Sequence, residues 1–254
     1  MRSGEYDDTL SARSARLTTA TANIERVNRT THQAQAWYHR LSGWYDTFAD
    51  PFEADARATG IRCLDAQPGE CVLDVGCGTG TALVEFGRAV GSDGRAYGID
   101  IAPGMCDESR SKLTAAGLEQ TAVLLGDALE LPLRDDSLDA LFASFVLELF
   151  DSPDIPRVLA EWRRVLGRDG RVCVVALSRR EDRLPVRLYE WVHRRFPRLA
   201  DCRPIYTAAT LETAGFEVHR RIERSVGGLP VEVVVAGLGG SRGTQVRTRD
   251  RSGG

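Results

Sequence analysis

The chain has 254 residues, of which 43% are hydrophobic and 27% charged, and a formal net charge of −3. That length and balance suit one large α/β domain with a buried sheet and extensions at its ends. So small a charge argues for neither a nucleic acid nor an acidic substrate, and no apolar run approaches the length of a membrane span. The six cysteines, Cys63, Cys71, Cys77, Cys106, Cys173 and Cys202, include no C-x-x-C pair and have no histidine nearby at ligand spacing. No metal site is therefore expected, and reduced thiols in a cytoplasmic protein are. No charged-then-apolar leader opens the chain.

Residues 1–22 are rich in Ser, Thr, Ala and Arg and predict a disordered N-terminal extension. A helical rhythm follows over residues 23–60, where Ala34, Trp37, Tyr38, Leu41 and Tyr45 recur at three- and four-residue steps. This stretch reads either as a helix packed on the sheet edge or as a helical lid. Pro68-Gly69 then introduces a buried strand over 71–75. Gly76, Gly78 and Gly80 break that strand, and a helical pattern resumes at Thr81 and runs to Val90.

Strand, glycine turn and helix together form a nucleotide-handling layout, because glycine lets backbone approach a ligand where a Cβ would collide. The spacing narrows the choice. A dinucleotide fingerprint, G-x-G-x-x-G, would place its third glycine where Thr81 stands, and a Walker loop would need Gly-Lys-Ser/Thr, whereas the one lysine is Lys112.

The next strand spans 95–99 and delivers Asp100, 20 residues past Gly80, with Ile101 after it. A carboxylate there can accept both ribose hydroxyls of an adenosyl group, as it does in pyridine-nucleotide sites, and it also suits a turn acid before a helix. A helix over 104–116 is expected to face Met105, Leu113 and Ala116 inward. Strand 121–125 ends in Gly126-Asp127-Ala128, strand 138–143 ends at Ser144, and Glu148 follows shortly.

An amphipathic helix over 154–166 turns Val158, Leu159, Trp162 and Val165 inward and Glu161, Arg163 and Arg164 outward. Gly167–Gly170 closes it before strand 171–177. Residues 178–205 read as an inserted segment in which Trp191 shares an apolar stripe beside several arginines. Such a basic amphipathic helix fits a lid over the acceptor or peripheral contact with a membrane surface. A helix over 207–214 and antiparallel strands over 216–222 and 231–236 complete the domain at residue 237. Residues 238–254 predict a disordered tail.

D-x-G-x-G-x-G at residues 74–80, G-D-A at 126–128, L-P-L-R-D-D-S-L-D at 131–139 and L-E-T-A-G-F at 211–216 occur in this order. They resemble the motifs of class I S-adenosylmethionine (SAM) methyltransferases, nearest to the ubiquinone/menaquinone-biosynthesis type. The resemblance covers about residues 34 to 237. It implies a Rossmann-like α/β fold with helices on both faces of a seven-stranded sheet, order 3-2-1-4-5-7-6, mostly parallel with strand 7 antiparallel.

The same resemblance implies SAM as cofactor and a site formed by Asp74, Gly76, Gly78, Thr79, Gly80, Asp100, Ile101, Asp127, Ala128 and Ser144. Tyr45, Glu148, Arg203 and Tyr206 are candidates for the substrate side. The function implied is methyl transfer to a small, lipophilic acceptor of quinone or phospholipid type, with no nucleic-acid partner. No catalytic base stands out among His39, His193, His219, Glu148 and Tyr206. A SAM-binding regulatory module without turnover, or a Rossmann NAD(P)-dependent oxidoreductase, are the alternatives. The acceptor atom and the oligomeric state are not encoded in any motif.

Overall fold

A computed structural model of the chain describes residues 50–178, 204–226 and 229–239. The expected N-terminal extension, most of the 23–60 lid including Tyr45, nearly all of the 178–205 insertion including Arg203, and residues 240–254 of the expected 238–254 tail lie outside these residues, whereas Leu238 ends the last strand. The elements, numbered over the described residues, are α1 (Asp50–Leu64), β1 (Cys71–Val75), α2 (Thr81–Val90), β2 (Arg95–Asp100), α3 (Pro103–Ala115), β3 (Thr121–Leu125) and β4 (Leu138–Ser144). A 3-10 turn (Leu147–Leu149), α4 (Ile155–Val165), β5 (Leu166–Leu177), α5 (Thr207–Thr213), β6 (Phe216–Val226) and β7 (Leu229–Leu238) follow.

The seven strands form one sheet in the order β3-β2-β1-β4-β5-β7-β6. The pairs from β3 through β5 are parallel, and β7 runs antiparallel to both of its neighbours. This is the expected Rossmann-like α/β architecture. Central strands of such a sheet are covered on both faces and therefore read as nearly continuous apolar runs.

The period of two sorts these runs into two cores. Val72, Phe142, Cys173, Val175 and Val233 pack with Ala56, Leu64, Leu83 and Phe86 on one side. Leu73, Leu141, Val174 and Val234 pack with Val158, Leu159, Trp162 and Leu211 on the other. Helices α1 and α2 thus cover one face, and α4 and α5 the other.

Two details of α1 fix its seat. A Cβ on Gly60 would come within 2.4 Å of Val175 Cγ2, so this glycine lets the helix lie close on the sheet. At its end, Arg171 Nε donates to Leu64 O at 2.6 Å and Nη2 donates to Asp65 O at 2.8 Å. The same guanidinium grips both carboxylate oxygens of Glu70 at 2.8 Å. Burial pushes the Glu70 pKa up, and the hydrogen-bonded Arg171 overcomes it, leaving a net lowering. A cation on the last carbonyls of a helix satisfies unpaired acceptors and complements the dipole.

Several expectations need correction. Strand β5 begins at Leu166, directly after α4, and absorbs the expected Gly167–Gly170 turn as a bulge: Leu138 pairs Leu166, but Ala140 pairs Arg171. Ala116 is exposed because α3 stops one residue before it, and Cys106 and Ser109 fill the inward positions with Met105 and Leu113. Glu161 and Arg164 do not face open solvent. Arg164 donates to Leu131 O, Leu133 O and Asp135 Oδ1, and Glu161 Oε2 accepts from Leu131 N. Burial against the 131–135 loop, which periodicity alone does not reveal, sets their orientation. The five described cysteines are free; Cys77, Cys106 and Cys173 are buried, and Cys71 is half-buried.

Candidate active site

In an open α/β sheet the crevice lies at the carboxyl ends of the strands where chain order reverses. Here that point is between β1 and β4, whose neighbours β2 and β5 lead away in opposite directions. A cleft with a cavity of about 190 Å³ opens there. The turn after β1, the ends of β2, β3 and β4, the 3-10 turn and the first two turns of α1 line it.

The glycine turn shapes one wall. Gly76, Gly78 and Gly80 all have positive φ (65°, 53° and 82°), a region that side-chain-bearing residues rarely adopt. Their surroundings differ. A Cβ on Gly76 would strike Val146 Cγ2 at 2.4 Å, and one on Gly80 would strike Ser109 Oγ at 2.2 Å. A Cβ on Gly78 would meet nothing within 4 Å. Gly78 and Gly76 line the cleft, whereas Gly80, the N-cap of α2, is turned to α3 and does not.

Asp100, at the end of the adjacent β2, is bonded to this turn. Its Oδ2 accepts from Gly78 N at 2.9 Å and its Oδ1 from Ala102 N at 2.9 Å. A carboxylate has about four acceptor sites, so each oxygen keeps capacity for a ligand hydroxyl. Burial raises the Asp100 pKa, and the backbone N–H groups only partly offset this.

The floor holds two buried polar atoms without a hydrogen-bond partner: Asp74 Oδ2 and Ser144 Oγ. Both residues line the cleft. Burial lifts the Asp74 pKa to about 8; the cation of Arg57 pulls it down and the charge of Asp100 pushes it up. An orphaned buried carboxylate oxygen costs about 1–3 kcal/mol or more unless a ligand supplies a donor.

Of the expected site residues, Asp74, Gly76, Gly78, Thr79, Asp100, Ile101, Asp127, Ala128 and Ser144 are brought together around this cleft. Asp127 Oδ1 also accepts from Leu129 N at 3.0 Å, so the residue shapes its own turn as well. Glu148 is placed otherwise. The 3-10 turn aims Leu149 at the cleft and Glu148 inward, where it is 1% exposed and its Oε1 accepts from Leu177 N at 3.1 Å. Tyr206 is 48% exposed and is not among the lining residues, and His219 is exposed on β6.

The sequence reading missed Glu53 and Arg57, which α1 presents to the cleft one helical turn apart, and Phe145, Leu149 and Phe150, which make its apolar side. Phe145 has a φ of 55°, uncommon for a bulky residue, and it is 5% exposed. No motif marks these positions. Spacing four apart on α1 was the available signal for the first pair. Among the described residues no group of three or more His, Cys, Asp and Glu could hold a metal.

Comparison with known proteins bears on this cleft. Residues 72–170 match the family described as "Methyltransferase domain". A demethylmenaquinone methyltransferase of Bacillus mycoides is 36% identical over 118 residues, which are 46% of this chain and 49% of that protein. The chain thus spans about half the length of the curated relatives it matches. A SAM-dependent methyltransferase structure from Aquifex aeolicus shares the fold with a TM-score of 0.59 and 23% identity, over 78% of this chain and 96% of that one. The structure of the [4+2]-cyclase SpnF shares it with a TM-score of 0.66 and 18% identity, over 83% and 97%.

Proposed function

We propose that this chain, which carries a class I SAM-dependent methyltransferase domain, binds SAM in the β1/β4 cleft and moves its methyl group to a small, lipophilic acceptor. The carrying observation is the pair of unpartnered buried atoms on the cleft floor, Asp74 Oδ2 and Ser144 Oγ, in the same lining as Asp100. The donor set suits SAM. Its amino-acid tail offers an ammonium to Asp74 and a carboxylate to Ser144 or the turn. Its ribose offers two hydroxyls to Asp100. Gly78 leaves open the space that backbone-close binding requires.

SAM carries a methyl group already activated on a sulfonium. What falls to the chain is alignment and the exclusion of water, which in well-oriented cases account for about 7–11 kcal/mol of a barrier. Phe145, Leu149 and Phe150 supply the dry side of the cleft. A carbon or oxygen acceptor must also lose a proton. Among the described cleft residues, Glu53 is the carboxylate outside the set assigned to the donor, and it takes that role here. An amine acceptor would need only to arrive neutral.

The quinone-type acceptor is supported by the name of the Bacillus relative and by the apolar cleft side. No helix of the described residues is long and apolar enough to cross a membrane. We place the protein in the cytoplasm, with residues 178–205 as the segment that could touch lipid. The cyclase among the structural neighbours makes turnover the point to test, since a shared fold does not fix the reaction. Labelled methyl transfer from SAM to a reduced 2-demethylnaphthoquinone bearing an isoprenoid tail is the test. Label in the organic phase is expected. SAM binding with no transfer to any acceptor of a lipid extract would leave the regulatory-module reading instead.

A further inference from the structure

The one lysine of this chain, among 33 Lys and Arg residues, stands behind the glycine turn. Lys112 rises from the last turn of α3, and its Nζ donates to Thr79 Oγ1 at 2.8 Å. Glu108, one helical turn earlier, lies 3.6 Å from the same ammonium. Thr79 lines the cleft, is 8% exposed, and is flanked by Gly78 and Gly80, both at positive φ. Glycines free a turn to reach such a conformation and also free it to leave. Thr79 is the side-chain handle between them, and Lys112 holds it.

We propose that Lys112 is a positioning residue for the amino-acid tail of the donor, an inference that rests on the SAM reading of the cleft. An ammonium only donates, so Thr79 Oγ is fixed as acceptor and its rotamer is set by a charge-assisted bond. The 78–80 turn is thereby tied to α3, the helix that follows Asp100, before any ligand arrives. Together with the bond from Gly78 N to Asp100, this gives the turn two anchors on the β2–α3 side. A turn already ordered costs less to order on binding. The tail of the donor lies against this turn, and the nucleoside lies against Asp100, Ile101 and Ala128. Lys112 therefore governs affinity for ligands that carry the tail and not for those that lack it.

The test compares Lys112→Met and Thr79→Val, singly and combined, by calorimetric titration with S-adenosylhomocysteine and with 5′-methylthioadenosine, which keeps the nucleoside and lacks the amino-acid tail. Each single variant is expected to weaken S-adenosylhomocysteine about tenfold, the cost of ordering on binding a turn that the bond otherwise holds ordered. The double variant is expected to lose no more than either, as for two partners of one bond. Affinity for 5′-methylthioadenosine should stay within about twofold. Unchanged affinity for S-adenosylhomocysteine, or equal losses for both ligands, overturns the proposal. If Lys112→Met fails to fold, Thr79→Val carries the same comparison. A wild-type chain that binds neither ligand overturns the SAM reading and this inference with it.

Discussion

At the scale of single residues, the three glycines of the turn do different work. Gly76 and Gly80 make room for Val146 and Ser109, whereas Gly78 faces open space. Gly78→Ala therefore meets no clash and bears only the strain of its positive φ, about 1–2 kcal/mol. Its methyl group occupies the ligand's space, so affinity for S-adenosylhomocysteine should fall at least tenfold while the protein still folds, as calorimetry and circular dichroism would show. Full affinity in this variant would place the ligand elsewhere. Glu53→Gln tests the chemical step. It should keep S-adenosylhomocysteine binding and lower the rate with a hydroxyl-bearing acceptor about 100-fold or more. An unchanged rate would remove Glu53 from proton transfer.

Asp74 and Glu148 set a pH dependence. Burial lifts both carboxyls to about 8. A carboxyl whose pKa is higher folded than unfolded holds its proton more tightly in the native state. Its stabilisation is complete below an unfolded value of about 4 and is lost as pH rises through about 8. The unliganded protein should therefore lose more than about 1 kcal/mol of stability between pH 5.5 and 8.5 by urea titration. Asp74→Asn should flatten that slope. A stability that rises over this window would contradict the assignment.

At the scale of elements, arginines seat the parts that line the cleft. Arg171 bonds the end of α1 and Glu70 together, and α1 carries Glu53 and Arg57 to the site. Both partners are mostly covered, with side-chain exposures of 25% and 19%. Arg171→Met should cost about 2–3 kcal/mol in chemical denaturation, since it takes the donor from Leu64 O and the cation from the half-buried Glu70. A loss under 0.5 kcal/mol would show that α1 is held by its apolar contacts alone.

These arginines also mark where the sequence stops being legible. The apolar runs of β1, β4 and β5 and the stripe of Val158, Leu159, Trp162 and Val165 are local patterns, and the strands and helices follow them. The clamp of Arg164 on residues 131–135 and that of Arg171 on residues 64–70 join segments about 30 and 100 positions apart. No period or motif encodes such pairs. The inward turn of Glu148 is hidden for another reason: a 3-10 turn of three residues is too short to leave a rhythm.

At the scale of the whole molecule, strand order and cleft position are coupled. The reversal between β1 and β4 places the glycine turn, Asp100, Asp127 and Ser144 within one crevice although they span residues 76 to 144. The glycine turn, Asp100, Asp127 and Ser144 were legible for that reason, because each follows or ends a strand of the sheet. The other side of the cleft is built from the first turns of α1, the 3-10 turn and Phe145, positions that none of the sequence motifs covers.

The central claim is that this crevice receives an adenosyl sulfonium donor. Isothermal titration of the purified chain with S-adenosylhomocysteine, with NADH as the control, addresses it most directly. The account predicts a 1:1 complex with a Kd in the micromolar range, about −8 kcal/mol, and no heat from NADH. Binding of NADH, or silence toward S-adenosylhomocysteine at millimolar concentration, would contradict it.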